Sequence, residues 1–457
     1  MKKFLLSLFI CAAQTINAAT YYVTTGGSDA ADGSVGTPWR EITNAVVQAS
    51  NGDTINVASG DYTKFVRVTK SFLNIVGSGY PGLGYVTFDG HSNIVNGFRV
   101  DGPGSAGSGS NSVTTLGNGN IITGCKWTND WIRGVILQGY GTILSNSYFW
   151  HSNTAANAAL RVAFTTVGTN CIVVSNKAEQ IADPEAFGLV WGVSNYIRGN
   201  LMTNCTNPGY TTPGTHGDFL QVWAYSSSAI SETNFVEGNT IVDCSVQCFF
   251  LNAANTSVTA VDRIKGWRIR NNRFINSDQS GGTYAPFMFI ENNLWTNWGY
   301  NNGYAFTIKM GDADGEPYSH GTNCVVQNNI FLSNGGSGGT SESYTRETLE
   351  LTADYNHSSA TNYGSKTLPD GTHNTTGDPK FAFQYQYDFR LRTNSPLLNA
   401  GTTSQATTDY YGTARPVGSA FEIGIYEGLG YELDGSSSIT RSIRTGKQTT
   451  SGKVVWQ

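Results

Sequence analysis

Apolar residues in this chain alternate in runs of two or three, each followed by a small polar residue, Asn, and a second short apolar run. The unit appears as TILSNSYF ending at Phe149, IVVSNKA around Asn176 and YIRGNLM around Asn200. It continues as FVEGNTI at Asn239, RIRNNRF at Asn272, FIENNLW at Asn293 and VVQNNIF at Asn329. IVNGFRV at Gly97 and IITGCKW at Cys125 read as earlier copies without the Asn. The shortest interval between copies sets a minimal rung, and longer intervals are rungs that carry a loop.

Such a repeat predicts an all-β solenoid, a single-stranded parallel β-helix. Each rung gives short strands that pair with their equivalents above and below, with side chains alternating in and out. The chain must turn between strands, where Asn and Gly adopt left-handed backbone at least cost. Stacked Asn side chains can hydrogen-bond along the axis and satisfy buried amides. The Asn positions are therefore read as a structural ladder rather than a ligand site. Cys205 and Cys244 each lie the same distance after their Asn, so they should stack, and a disulfide between them is one outcome of that register. Cys171 and Cys324, before theirs, read as small core residues.

A solenoid needs closed ends. WREITNAVVQA, Trp39–Ala49, puts Ile42, Ala45, Val46 and Ala49 on one helical face and should cap the first rung. From Asp378 the rungs give way to DPKF, LRTNSPLLNAG and EIGIYE, and residues 429–457 read as a Ser/Thr-rich flexible tail. Residues 1–19 have the charged start, short apolar core and small-residue end of a secretory signal. The domain is thus expected over 20–428, in a secreted, extracellular or periplasmic protein with no membrane span and no oligomerisation signal, hence a monomer.

Composition supports stacked strands over amphipathic helices. Only 13% of residues are charged, Gly numbers 54, and the net charge of −5 leaves no basic face for nucleic acid. The cysteines after the signal form no Cys-x-x-Cys pair, so a structural zinc site is not expected.

The opening YYVTTGGSDAADGSVGTPWREITNAVVQASNGDTINVASGDY resembles the start of the pectate-lyase-like superfamily of right-handed parallel β-helices. The ending DPKF…DFRLRTNSPLLNAGTTS…DYYGTARPVGSAFEIGIYE is similar to the closing segment of many such proteins. The resemblance implies a right-handed helix and export. It does not select a chemistry, because the superfamily includes polysaccharide lyases, glycoside hydrolases, uronate epimerases and non-catalytic surface proteins.

Sugar-cleaving groups on this scaffold are expected on the outer face of one sheet. The strand before each Asn turn supplies Gln138, Arg161, Trp191, Asp218, Gln221, Trp223, Asn252, Lys309 and Asp312 as outward candidates. The densest cluster is His216 and Asp218, followed by Gln221, with Asp183 and Glu185 one rung earlier. Two carboxylates there could act as acid and nucleophile, or as acid and water-activating base. His216 could relay a proton. Lys309 or Arg161 could instead abstract the α-proton of a uronate in a lyase. Asp312, Asp314 and Glu316 are oxygen ligands suited to calcium, the one cofactor considered. Trp191 and Trp223 could stack on sugar rings, with Gln221 and Asn252 as polar contacts.

His216-Gly217 with Arg263-Ile264-Lys265 is similar to two motifs of the polygalacturonase family, whose carboxylate motifs are absent here. The leading expectation is an enzyme cleaving a polysaccharide, by elimination or hydrolysis. The alternative is a non-catalytic surface protein that binds glycans.

Overall fold

The computed structural model describes residues 18–62, 64–100, 112–128, 133–150, 161–181, 184–205, 217–223, 230–252, 263–279, 282–283, 285–297, 307–308, 323–333, 351–358 and 371–432. In one turn the chain runs through Arg133–Leu137, Ile143–Ser145 and Tyr148–Trp150, then returns at Arg161–Thr166, paired in parallel with its starting strand. Three faces result, here called first, second and third in that order. The second face is a parallel sheet of 13 strands from Thr20–Val23 to Leu351–Asp354. The first and third join in one sheet of 22 strands, because Thr240–Asn252 pairs both with Leu201–Thr203 and with Asp218–Trp223. This is a right-handed parallel β-helix.

The interior follows from the alternation. On the third face the middle residue of each triplet points inward, giving Trp127, Phe149, Ala178, Met202, Ile241 and Phe274, all fully buried. Neighbouring rungs stack their rings, as Trp127 on Phe149 at 4.6 Å and Phe274 on Trp295 at 5.1 Å. Stacked aromatics add attraction beyond the area they bury. The short helix Ile42–Gln48 closes the first rung, with Ile42, Ala45 and Val46 at most 3% exposed.

The Asn ladder forms from Asn176 onward. Asn239 accepts hydrogen bonds from both the backbone N–H and the Nδ2 of Asn200, each at 2.9 Å. Its own N–H and Nδ2 pass to Oδ1 of Asn272, and Nδ2 also reaches the Ile197 carbonyl at 2.8 Å. Asn272, Asn293, Asn329 and Asn356 repeat the arrangement. The left-handed residue is the one before each ladder Asn: Ser175, Gly199, Gly238, Asn271, Asn292 and Asn328 all have positive φ.

Two of the early copies are shifted by one, whereas Cys125, following left-handed Gly124 (φ 59°), holds the ladder column and gives its N–H to Ser147. Asn146 (φ 49°) and Gly97 (φ 79°) are the left-handed residues, while Ser147 occupies the ladder column and gives its N–H to Asn176. The segment Ala285–Ile290 spans a turn, because Phe287 is left-handed and Phe289–Glu291 belongs to the second face. Cys205 and Cys244 do stack, as buried neighbouring thiols rather than a disulfide.

Beyond the rungs, Phe381, Phe389, Leu391, Leu397, Ile423 and Ile425 build a second apolar cluster. It lies against Ile275, Leu294, Ile330 and Leu332, the outward residues of the third face. The closing segment thus covers the late rungs of that face.

Candidate functional site

Strand Pro184–Val190 lies between Arg161–Thr166 and Asp218–Trp223 on the first face. Arg161 pairs with Pro184, whereas Val162 pairs with Ala186, so Glu185 is an extra residue in its strand. A β-bulge of this kind bends the strand and re-aims a side chain, and bulges concentrate next to active sites. Ala186 pairs in turn with Asp218. The bulge therefore sets Arg161, Glu185 and Asp218 at the leading edge of three consecutive rungs, spaced by about 4.8 Å per rung.

Just past that edge the strands bend. Phe219 and Leu220 are consecutive and both fully buried in the core, which requires a corner between them. The preceding rung bends at the same place: Phe187 is buried in the core, and a Cβ on Gly188 would stand 2.1 Å from the Phe164 ring. Asp218 precedes the corner and is itself fully buried. Its register neighbours Val162 and Ala186 are buried too, yet lie outside the main apolar cluster. Apolar neighbours on the same face thus flank Asp218, which lies away from solvent.

After the corner, Gln221 alternates with the inward Leu220 and Val222, so it faces outward, at 6% exposure. It continues an outer column of Thr114, Ile136, Thr165 and Leu189, all uncharged. Gln138 is exposed on an earlier rung. Trp191 is 8% exposed and belongs to the core cluster, so its ring is packed in the protein body. Trp223 and Asn252 are direct backbone neighbours on adjacent rungs.

Asp183, His216, Lys309, Asp312, Asp314 and Glu316 lie outside the described residues. Among the described residues no group of His, Cys, Asp and Glu side chains could hold a metal ion. The sequence reading missed a buried ionic cluster in the closing segment. Arg415 and Glu427, with side chains fully buried, pair at 2.7 Å. Glu422 lies against Glu427, and burial pushes its carboxyl up to about 9. Asp409 takes the Glu427 N–H at 2.9 Å and the N–H groups of Tyr411 and Thr413. These groups lock the closing segment to itself and, through Arg415 to Asn271, to the rungs.

Residues 25–201 match the family described as protein of unknown function DUF1565. No curated protein matches the chain. Among solved structures, the chain is similar to a mannuronic-acid-specific polysaccharide family 6 lyase from human gut microbiota. That likeness has 10% identity and a TM-score of 0.51, over 74% of this chain and 88% of the lyase. It is also similar to XylC in complex with xylose, with 10% identity and a TM-score of 0.50, over 90% of this chain and 98% of XylC. At this identity the likeness establishes the fold.

Proposed function

We propose that the protein is an exported carbohydrate-active enzyme that cleaves a polysaccharide at the leading edge of the first face, around the Glu185 bulge. The observation that carries this reading is the bulge itself, which puts Arg161, Glu185 and buried Asp218 on successive rungs. Two carboxyls on neighbouring rungs suit acid–base chemistry on a glycosidic bond, which needs one to give its proton to the leaving oxygen and the other ionised. Asp218, buried, suits the acid, and Glu185 the ionised partner. In hydrolysis, Glu185 activates water or attacks the anomeric carbon. In elimination from a uronate, Arg161 neutralises the sugar carboxylate and ionised Glu185 takes the C5 proton. The C4–O bond then breaks, leaving a C4–C5 double bond and a protonated leaving oxygen.

The lyase neighbour acts on a mannuronic-acid polymer and the second neighbour holds xylose, so both fit a carbohydrate role. A non-catalytic glycan binder is the second reading, favoured by the uncharged outer column from Thr114 to Gln221. Glu185→Gln and Asp218→Asn variants decide between them. The enzymatic reading expects loss of cleavage with retained folding, and unchanged cleavage in both variants overturns the assignment of the site.

A further inference from the structure

The outer side of the third face changes character along the axis. On the late rungs its outward residues are Ile275, Leu294, Ile330 and Leu332, each at most 3% exposed beneath the closing segment. Thr240 marks the boundary, its hydroxyl 2.8 Å from that of Tyr410, and the Arg273 guanidinium sits over the same Tyr410 ring at 4.2 Å. The closing-segment cluster involves no residue of the earlier rungs of this face.

On those earlier rungs the outward column is Arg99, Lys126, Tyr148 and Lys177, paired one to the next in register. Each of the last three follows the turn position, as the alternation requires, so they project from the same face as the buried Leu294 and Ile330. Register makes the cations recur along the axis: Arg99 and Lys126 one rung apart, Lys126 and Lys177 two, or about 10 Å.

We infer that this strip of the third face, beyond the reach of the closing-segment cluster, binds an anionic polysaccharide, the chain lying along the helix axis with its acidic groups against Arg99, Lys126 and Lys177. Two of the three cations already have acidic partners: Arg99 pairs with Asp61, and Lys177 with Glu179 at 2.6 Å. These pairs are partly exposed, with side-chain exposures of 31% and 26% for Lys177 and Glu179. Such partly exposed pairs are weak and screened by salt, so an incoming anion can compete for the cations. Lys126 is different. Its ammonium lies 3.5 Å from the centre of the Tyr80 ring, and among the described residues it has no carboxylate partner. Among the described residues, Asp61 and Glu179 pair with Arg99 and Lys177, and Lys126, in the middle of the row, has no carboxylate beside it.

Aromatic and amide groups fill the spaces between the charges. Tyr148 stands between Lys126 and Lys177, and its hydroxyl donates to Glu179 at 3.1 Å. On the adjoining outer column Trp150 donates its indole N–H to Gln180 at 2.9 Å. Ring surface beside a line of cations suits a sugar chain, whose C–H faces pack on aromatic groups while its acidic groups meet the ammonium and guanidinium. A protein partner would instead call for a contiguous apolar centre, whereas the outward column described here is Arg99, Lys126, Tyr148 and Lys177. The inference goes beyond the cleavage reading and is tested by binding alone, so either can fail without the other.

The test is affinity electrophoresis of the full-length protein in gels containing polygalacturonate, alginate, dextran sulfate or neutral xylan, at low salt. The account expects retardation by the anionic polymers and not by xylan, and stronger retention by polyuronates or by dextran sulfate identifies carboxylate or sulfate as the source. Lys126→Glu weakens retention several-fold, while Glu179→Gln, which releases Lys177, strengthens it. A folding defect would not move the two variants in opposite directions. Equal retention by xylan, tighter binding of single-stranded DNA than of any glycan, or a Lys126→Glu variant that binds like the parent overturns the inference.

Discussion

The Oδ1 of Asn239 receives both the N–H and the Nδ2 of Asn200, so one buried oxygen closes two bonds between consecutive rungs. Asn239→Ala removes that acceptor and leaves two buried donors on Asn200 seeking partners. Each unsatisfied buried donor costs about 1–3 kcal/mol. The variant is expected to lose about 3 kcal/mol, read as a lowered midpoint in urea denaturation. Ser175, the exposed left-handed residue before Asn176, should tolerate Gly far better, since Gly adopts φ 56° without penalty.

Gly188 tests the corner of the first face. A methyl there would meet the Phe164 ring at 2.1 Å, and the ring sits in the packed core. Gly188→Ala should destabilise the protein by about 1–3 kcal/mol through overpacking. A thermal melt checks this, and pairing it with Phe164→Leu should restore part of the loss.

The closing segment gives a pH dependence. Burial beside Glu427 raises the Glu422 carboxyl from its ordinary 4.5 to about 9. A folded-state value above the unfolded one means the protonated form is favoured on folding. That stabilisation is complete below about pH 4.5 and is lost as pH rises through 9. Melting temperature is therefore expected to fall between pH 5 and pH 9, and Glu422→Gln, which cannot titrate and mimics the neutral carboxyl, removes this group's share of the dependence. A parent and variant with identical pH profiles would show that Glu422 is ionised throughout.

Much of the fold was legible because a repeat imposes one register on many residues. The Asn ladder, the capping helix and the stacked Cys205 and Cys244 all follow from positions within the unit. What escaped was the division of labour inside the turn. Asn is acceptable both as the left-handed residue and as the ladder residue, so Asn146 was assigned to the column that Ser147 occupies.

The site was less legible because its geometry depends on departures from the repeat. Pattern places Glu185 and Asp218 near each other, but only strand pairing reveals that Glu185 is an inserted residue. The cation row was hidden for the opposite reason. Lys126, Tyr148 and Lys177 hold the same place in three copies of the unit, a signal that emerges once the copies are aligned by register. Glu422 and Glu427 were invisible as a pair, because nothing in EIGIYE says that both carboxyls turn inward.

The most direct test of the central claim is to incubate the purified protein with a panel of acidic and neutral polysaccharides and weigh the products by mass spectrometry, with the Glu185→Gln variant in parallel. The account predicts oligosaccharides from the parent, carrying an added water if cleavage is hydrolytic or an unsaturated end if it is eliminative. It predicts none from the variant, whose melting midpoint stays that of the parent. No product from a folded parent protein on any substrate, or undiminished product from Glu185→Gln, would contradict it.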